Sequence, residues 1–186
     1  MTASITAISK AQTIVKIEAI EESLDHRLPV TLGLALIKND RFDWAIQKAA
    51  ELGVSAIQPF ISQFTDSAPK PDRLDKKYSH WREILLNACE QSRNNWLPEL
   101  HQPVQLDSLE TSPQTVIAHP SNLTVAIDPQ EPTLLLVGPE GGFSDPEIRE
   151  LSKKKVKKMG LGPTILKTET AVIVGLTLLG QQYGQY

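Results

Sequence analysis

The chain has 186 residues, of which 40% are hydrophobic, with a formal net charge of −3 and one cysteine. That length holds one ordinary domain and a small appendage, and that apolar share is enough for its core. A lone thiol excludes an internal disulfide framework, no segment is long enough to span a membrane, and no signal-peptide pattern follows Met1, so a soluble cytoplasmic protein is expected. The slight acidity also excludes a protein whose nucleic-acid affinity rests on general charge, so any such contact must be local.

From the amino end, residues 5–8, a polar turn at 9–12 and the partly alternating stretch 14–20 read as a β-hairpin. Two strands alone are marginal unless they dock on something. A linker over residues 21–29 leads to TLGLALI, an apolar strand, and then to RFDWAIQKAAELG, a helix stopped by Gly53. Lys48 and Glu51 lie three apart on that helix, a spacing suited to a local ion pair. Residues 54–61 make the next strand, and 73–92 a long helix with Trp81, Ile84, Leu85 and Ala88 on one face. Cys89, among helix formers, reads as a small buried side chain. TVIAHP is a strand, 123–127 a short apolar stretch, and LLLV at 134–137 a strand buried on both faces, since it shows no polar alternation. Strands alternating with helices define an α/β fold with a parallel sheet.

The most informative stretch begins where that strand stops, at Gly138, Pro139, Glu140, Gly141 and Gly142. Pro139 fixes its φ there, and the glycines admit positive φ or a close approach by another molecule. Ser144 with Glu147 three residues on, and Pro146 in the first turn, forms a capping-box helix start. A strand, a glycine turn and a capped helix leave free backbone N–H groups at the carboxyl end of a sheet, where open α/β folds bind ligands. The loop matches neither GxGxxG nor GxxxxGK[ST], and Glu140 disfavours a polyphosphate, so spacing alone leaves the ligand open. The lysines at 153, 154, 155, 157 and 158 are placed on this helix as a solvated face. Gly160, Leu161, Gly162 and Pro163 make a second tight loop, followed by Ile165 and Leu166. The helix at 171–180 is apolar almost all round, which implies burial against a second copy. His26, His80, His101 and His119 show no metal-ligand spacing, so no metal is expected.

GPEGGFSDPEI paired with LGPTILKTETA, preceded in order by WAIQKAAELGVSAIQPFIS and ACEQSRNNWLPEL, resembles the RsmE family, methyltransferases that modify uracil N3 of 16S ribosomal RNA. The resemblance covers roughly residues 30–182 and implies a SPOUT-type parallel sheet with a C-terminal trefoil knot. It also implies S-adenosylmethionine held by the knot loops, 16S rRNA of the small ribosomal subunit as substrate, and an active site completed across a homodimer. On this reading residues 1–28 are part of a PUA-like β segment with a linker, most of that RNA-binding barrel being absent, and 29–186 are the SPOUT domain.

Such a reaction sets demands on the site. The imide proton of uracil N3 must leave and the negative charge on the ring oxygens must be balanced, which calls for a cation or donor near the base. Lys167 is the best-placed cation, and Glu169 is a base or, preferably, a cap for the following helix. The cofactor falls to Gly138, Pro139, Glu140, Gly141, Gly142, Leu161, Gly162, Pro163, Ile165 and Leu166. Gln91 and Arg93 are candidates to hold a splayed nucleotide, or else satisfy the carbonyls at their helix end. The resemblance adds Lys48 to the RNA candidates. Departures concentrate on the RNA side: the family usually carries arginine at Lys167, Thr164 and Asn94, and SERS where this chain has Ser62, Gln63, Phe64 and Thr65. Lysine keeps the charge but loses the planar two-pronged fork. A second class of function therefore fits the same residues, a diverged and catalytically weak or inactive relative acting as a cofactor-binding or interaction dimer.

Overall fold

The computed structural model describes residues 2–20, 22, 24–66 and 71–186, the side chains at 39 and 71 excepted; Met1, Glu21 and Ser23 of the expected β segment and linker lie outside the described residues. β1 (Thr2–Ile8) and β2 (Thr13–Ala19) form the expected antiparallel hairpin, closed by a turn in which the Ser9 N–H donates to the Gln12 carbonyl at 2.9 Å. Opposed pairs give it two faces: Ile5 with Val15 and Ala3 with Ile17 on one, Ser4 with Lys16 on the other, where the Ser4 hydroxyl donates to Glu18 at 2.7 Å. The apolar face is exposed.

The remaining strands are β3 (Leu28–Ala35), β4 (Val54–Ile61), β5 (Glu99–Leu100), β6 (Val104–Gln105), β7 (Thr115–His119), β8 (Thr133–Val137) and β9 (Lys157–Gly160). They form one parallel sheet in the order β5-β4-β3-β8-β7-β9, with β6 also on β4. α1 (Asn39–Glu51), α2 (Leu74–Ser92) and α4 (Thr168–Gln182) cover one face, and α3 (Asp145–Lys153) the other. Strand alternation divides the core accordingly. Leu32, Leu34, Leu135 and Val137 meet Phe42, Ile46, Trp81, Leu85, Val172 and Leu176 on the first side, and Leu134, Leu136 and Phe60 meet Leu151 on the second. Burial of β8 on both faces is what its unbroken apolar run required. Cys89 is buried, and burial pushes its thiol pKa up.

Three expectations need correction. β3 begins at Leu28, inside the expected linker, because the Leu28 N–H is taken by the Gly53 carbonyl at 2.8 Å and Leu28 pairs with Val54; Pro29, which has no N–H, sits beside the register shift that follows. The lysine run does not ride one helix. α3 ends after Lys153, Lys155 takes a left-handed φ of 61°, and Lys157 and Lys158 belong to β9. Met159 is buried and pulls that segment onto the sheet, where the lysines charge an edge strand that would otherwise invite pairing. The last helix is longer than expected, and within one protomer its outer face, with Ile173, Val174, Thr177 and Leu178, is half-buried.

Where the chain leaves β9 it lies against the segment that leaves β7. Gly160, Leu161 and Gly162 donate their N–H groups to the carbonyls of Leu123, His119 and Ser121 at 2.8, 3.0 and 3.0 Å. A Cβ at residue 160 would lie 2.4 Å from the Ser121 carbonyl oxygen and 2.6 Å from both N and O of Leu123, all backbone atoms that cannot step aside. Gly160→Ala should therefore destabilise the chain by about 3 kcal/mol in urea unfolding. Gly33→Ala, whose Cβ meets the movable tip of the Leu136 side chain, should cost about 1 kcal/mol. Equal costs at the two positions would show that the loop contact is not the tighter constraint.

Candidate functional site

The carboxyl ends of β7 and β8 open into a cleft of about 280 Å³ between the loop after β8 and the loop after β9. The first loop is held from several sides. The Gly142 N–H closes a turn on the Pro139 carbonyl at 2.8 Å, with Gly142 itself at φ 71°. Ser144 caps α3 as expected: its N–H donates to Glu147 Oε2 at 2.8 Å and its hydroxyl accepts from the Glu147 N–H at 3.4 Å. The other Glu147 oxygen accepts the Gln63 N–H at 2.7 Å, which ties the segment after β4 to the same cap. Glu140 pairs with Arg41 at 3.0 Å, a partly exposed contact of small energetic weight. A Cβ on Gly138 would meet the Phe143 ring at 2.7 Å, and one on Gly141 would meet Phe64 at 3.0 Å.

The two loops are joined by one buried hydroxyl. Thr168, first residue of α4, donates through Oγ1 to the Gly138 carbonyl at 3.0 Å. Opposite it stands His119, the last residue of β7. Its Nδ1 is sealed from solvent with no hydrogen-bond partner among the described residues, and burial, then the charge of Lys158, lowers its pKa below the usual 6.5.

Of the ten residues expected at the cofactor, Gly138, Pro139, Glu140, Gly141, Gly142, Leu161, Ile165 and Leu166 line this cleft. Gly162 and Pro163 do not. Gly162 sits at φ 106° with its N–H spent on Ser121, so its glycine serves the path of the loop and not the wall of the cleft. Lys167 precedes α4 at the N-cap position, exposed and with no hydrogen bond or ion pair recorded among the described residues. Glu169 lies in the first turn of α4, where a carboxylate favours the helix end, but it makes no capping hydrogen bond, and its Oε2 is sealed without a partner.

Lys48, Gln91 and Arg93 are elsewhere. Lys48 forms the expected pair with Glu51 at 2.7 Å, and α1 ends beside Gly53, which is bonded to the first residue of β3. Arg93 takes a left-handed φ of 57°, so that its N–H and that of Asn94 satisfy the carbonyls of Glu90 and Cys89 at 3.3 and 2.9 Å. Within one protomer these residues lie at the amino ends of the strands, roughly 20 Å from the cleft, six or seven strand residues at about 3.3 Å each. Sequence reasoning missed Thr168, Phe143, Thr164 and His119 among the lining residues. His119 had a usable signal, a polar residue ending an apolar strand on the ligand-binding side of the sheet.

Fold and cleft together define a class, the RNA methyltransferase domain, whose family model matches residues 24–180. Ribosomal RNA small subunit methyltransferase E of Mesomycoplasma hyopneumoniae is 36% identical over 176 residues, 91% of this chain and 75% of that protein. Its counterpart from Buchnera aphidicola of Schizaphis graminum is 34% identical, covering 88% of this chain and 69% of that one. A putative methyltransferase from Legionella pneumophila, solved with bound S-adenosylmethionine, superposes with a TM-score of 0.87 at 37% identity over 96% of this chain and 77% of the other. The Neisseria gonorrhoeae ribosomal RNA small subunit methyltransferase E, also bound to S-adenosylmethionine, gives 0.86 at 29% identity, 97% and 78%. The chain belongs to the ribosomal RNA small subunit methyltransferase E family, as its motifs implied.

The join between the loops is directly testable. Thr168→Val keeps the shape of the side chain but leaves the Gly138 carbonyl without its donor, which should cost about 1 to 2 kcal/mol in urea unfolding. Thr168→Ser should restore most of it. A valine variant as stable as the parent would remove the hydroxyl from the account.

Proposed function

We propose that this chain transfers a methyl group from S-adenosylmethionine to N3 of a uracil in 16S ribosomal RNA. The observation that carries this reading is the cleft at the carboxyl ends of β7 and β8, walled by two glycine loops that one buried threonine hydroxyl joins. The residues fit the cofactor. Gly138, Gly141 and Gly142 bring backbone close to a ligand where side chains would intrude, and Leu161, Leu166 and Ala171 offer apolar cover for a flat ring. Bound there, the cofactor supplies a methyl group already activated by its sulfonium charge. The chain's own part is to hold and align the partners and to exclude water.

The uracil needs charge balance as its N3 proton leaves. Lys167 supports that role because it stands between the second loop and α4 with its ammonium uncommitted. Glu169 carries a carboxylate oxygen with no partner a turn away, and we assign it the proton-accepting role that its missing cap bond leaves open. Lys48, Gln91 and Arg93 are read as RNA-holding residues that serve a cleft other than the one in their own protomer. A homodimer follows, supported by the half-buried apolar face of α4 at Ile173, Val174 and Leu178. The contact of residues 160–162 with 119–123 is the arrangement a trefoil knot would need. The hairpin of β1 and β2, which pairs with no other strand among the described residues, is read as a PUA-like segment, and the chain from Leu28 on as the SPOUT domain, in the cytoplasm with the ribosome.

Two outcomes test this reading. In single-turnover assays on small ribosomal subunits, followed by mass detection of 3-methyluridine, Lys167→Ala should lower the rate by at least about a hundredfold while leaving cofactor affinity nearly intact, and Lys167→Arg should keep or raise it. Alanine at full rate would move the charge balance elsewhere. Light scattering at micromolar concentration should give twice the chain's 20.6 kDa, and the monomer mass would remove the shared site.

A further inference from the structure

Among the described residues that line the cleft, His119 alone has a sealed side-chain polar atom with no hydrogen-bond partner. Strand alternation puts it on the same face of the sheet as Ile117, and Ile117 stands opposite Lys158 in the β7–β9 register. Its backbone carbonyl is occupied, accepting from the N–H groups of Ser121 and Leu161 at 2.9 and 3.0 Å. The ring is therefore pinned at the crossing of the two segments. Nδ1 is sealed and meets no acceptor or donor among the described residues, so the other edge of the ring, with Nε2, is what the cleft can reach.

That geometry decides the protonation state. An imidazolium would carry an N–H at Nδ1 with neither water nor protein to receive it, a penalty the neutral ring avoids by keeping Nδ1 as a bare lone pair. The proton then sits on Nε2, on the cleft side. We propose that His119 is a positioning residue for the cofactor, a neutral imidazole that donates from Nε2–H to an oxygen or ring nitrogen of bound S-adenosylmethionine and must stay uncharged while the sulfonium is present. This inference rests on the reading of the cleft as the cofactor site.

The surroundings agree. The charged groups around the cleft are Lys158 on β9, Glu140 paired with Arg41 on the first loop, and Lys167 and Glu169 at the start of α4. Lys158 is the one that acts on the ring, and like burial it disfavours the charged form. The sulfonium adds a further positive charge and pushes the same way. S-adenosylhomocysteine, the demethylated product, has every other group of the cofactor but not that charge. The protonated ring should therefore discriminate against the cofactor more than against the product, and the ratio of their affinities should depend on pH.

Calorimetry measures this with the full chain and no RNA, by titrating each ligand at about pH 7.5 and about pH 5. For the parent chain the ratio of affinities, cofactor over product, should fall toward the acid end, since a proton taken up by the ring meets the sulfonium in one complex and not in the other. The amino-acid moiety is common to both ligands, so its titration cancels in the ratio. His119→Gln, which keeps a donor but cannot charge, should bind within about tenfold of the parent at the higher pH and show a flat ratio. His119→Phe is the second variant, with a similar volume and no donor, and should bind both ligands more weakly at every pH. A flat ratio in the parent, or the same slope in His119→Gln, overturns the role of His119 while leaving the cleft assignment intact. Absence of heat for either ligand at the higher pH overturns both.

Discussion

The structure depends on a contact between two pieces of backbone. Residues 160–162 lie so close to residues 119–123 that the carbonyls of one segment are satisfied by the N–H groups of the other, and the space between them admits no side chain at position 160. One wall of the cleft hangs from that contact: His119 on one side of it, Leu161, Thr164, Ile165 and Leu166 on the other, and α4 beyond. Buried backbone polar groups must find partners, and here the contact carries on where the β7–β9 ladder ends, at the pair His119 and Gly160. The segments supply them to each other, so this wall of the cleft follows from how closely the two segments lie.

A cleft built this way needs few charged residues. Its walls are mostly glycine backbone, two prolines and apolar side chains, with Glu140 the one charged residue among the described lining, and a neutral hydroxyl ties its loops. Charge would be costly there without a partner, and burial of part of the His119 ring lowers its pKa for that reason. The cations are displaced outward: Arg41 onto Glu140, Lys153 onto Glu150, Lys154 onto the carbonyls of Asp107 and Leu109, and Lys157 and Lys158 along the edge strand. Most of them are thereby spent on the protein itself. A net charge of −3 then describes a surface that attracts RNA weakly in general, so recognition must come from a few positions close to the cleft.

How much of this the sequence disclosed follows from which forces are local. The capping box of Ser144 and Glu147, the double burial of β8 and the stop at Gly53 depend on neighbours within a few residues, and each stands where it was expected. β5 and β6 are two residues long and exist only because β4 offers an edge, so no periodicity could announce them. β9 was hidden by its lysines. Its burial pattern rests on Met159 alone, and a lysine-rich run following a capped helix reads as more helix until the sheet claims it.

The site shows the same division at finer scale. The two loops could be read from glycine, proline and their flanking elements, but glycine serves two purposes there and the letters do not separate them. At Gly138 and Gly141 a side chain would collide with Phe143 or Phe64, so glycine keeps the wall of the cleft thin. At Gly162 a Cβ would meet nothing, and glycine is needed because the backbone turns through a positive φ to bring its N–H to Ser121. The first kind serves the packing of the loop against Phe143 and Phe64 and the second the path of the chain. A substitution at 162 that lowers ligand affinity would therefore act through the crossing of the two segments, whereas one at 141 acts on the wall itself. The same reasoning separates Arg93 from the cleft: its left-handed backbone already has a structural use in ending α2, so its position is explained before any nucleotide is brought to it.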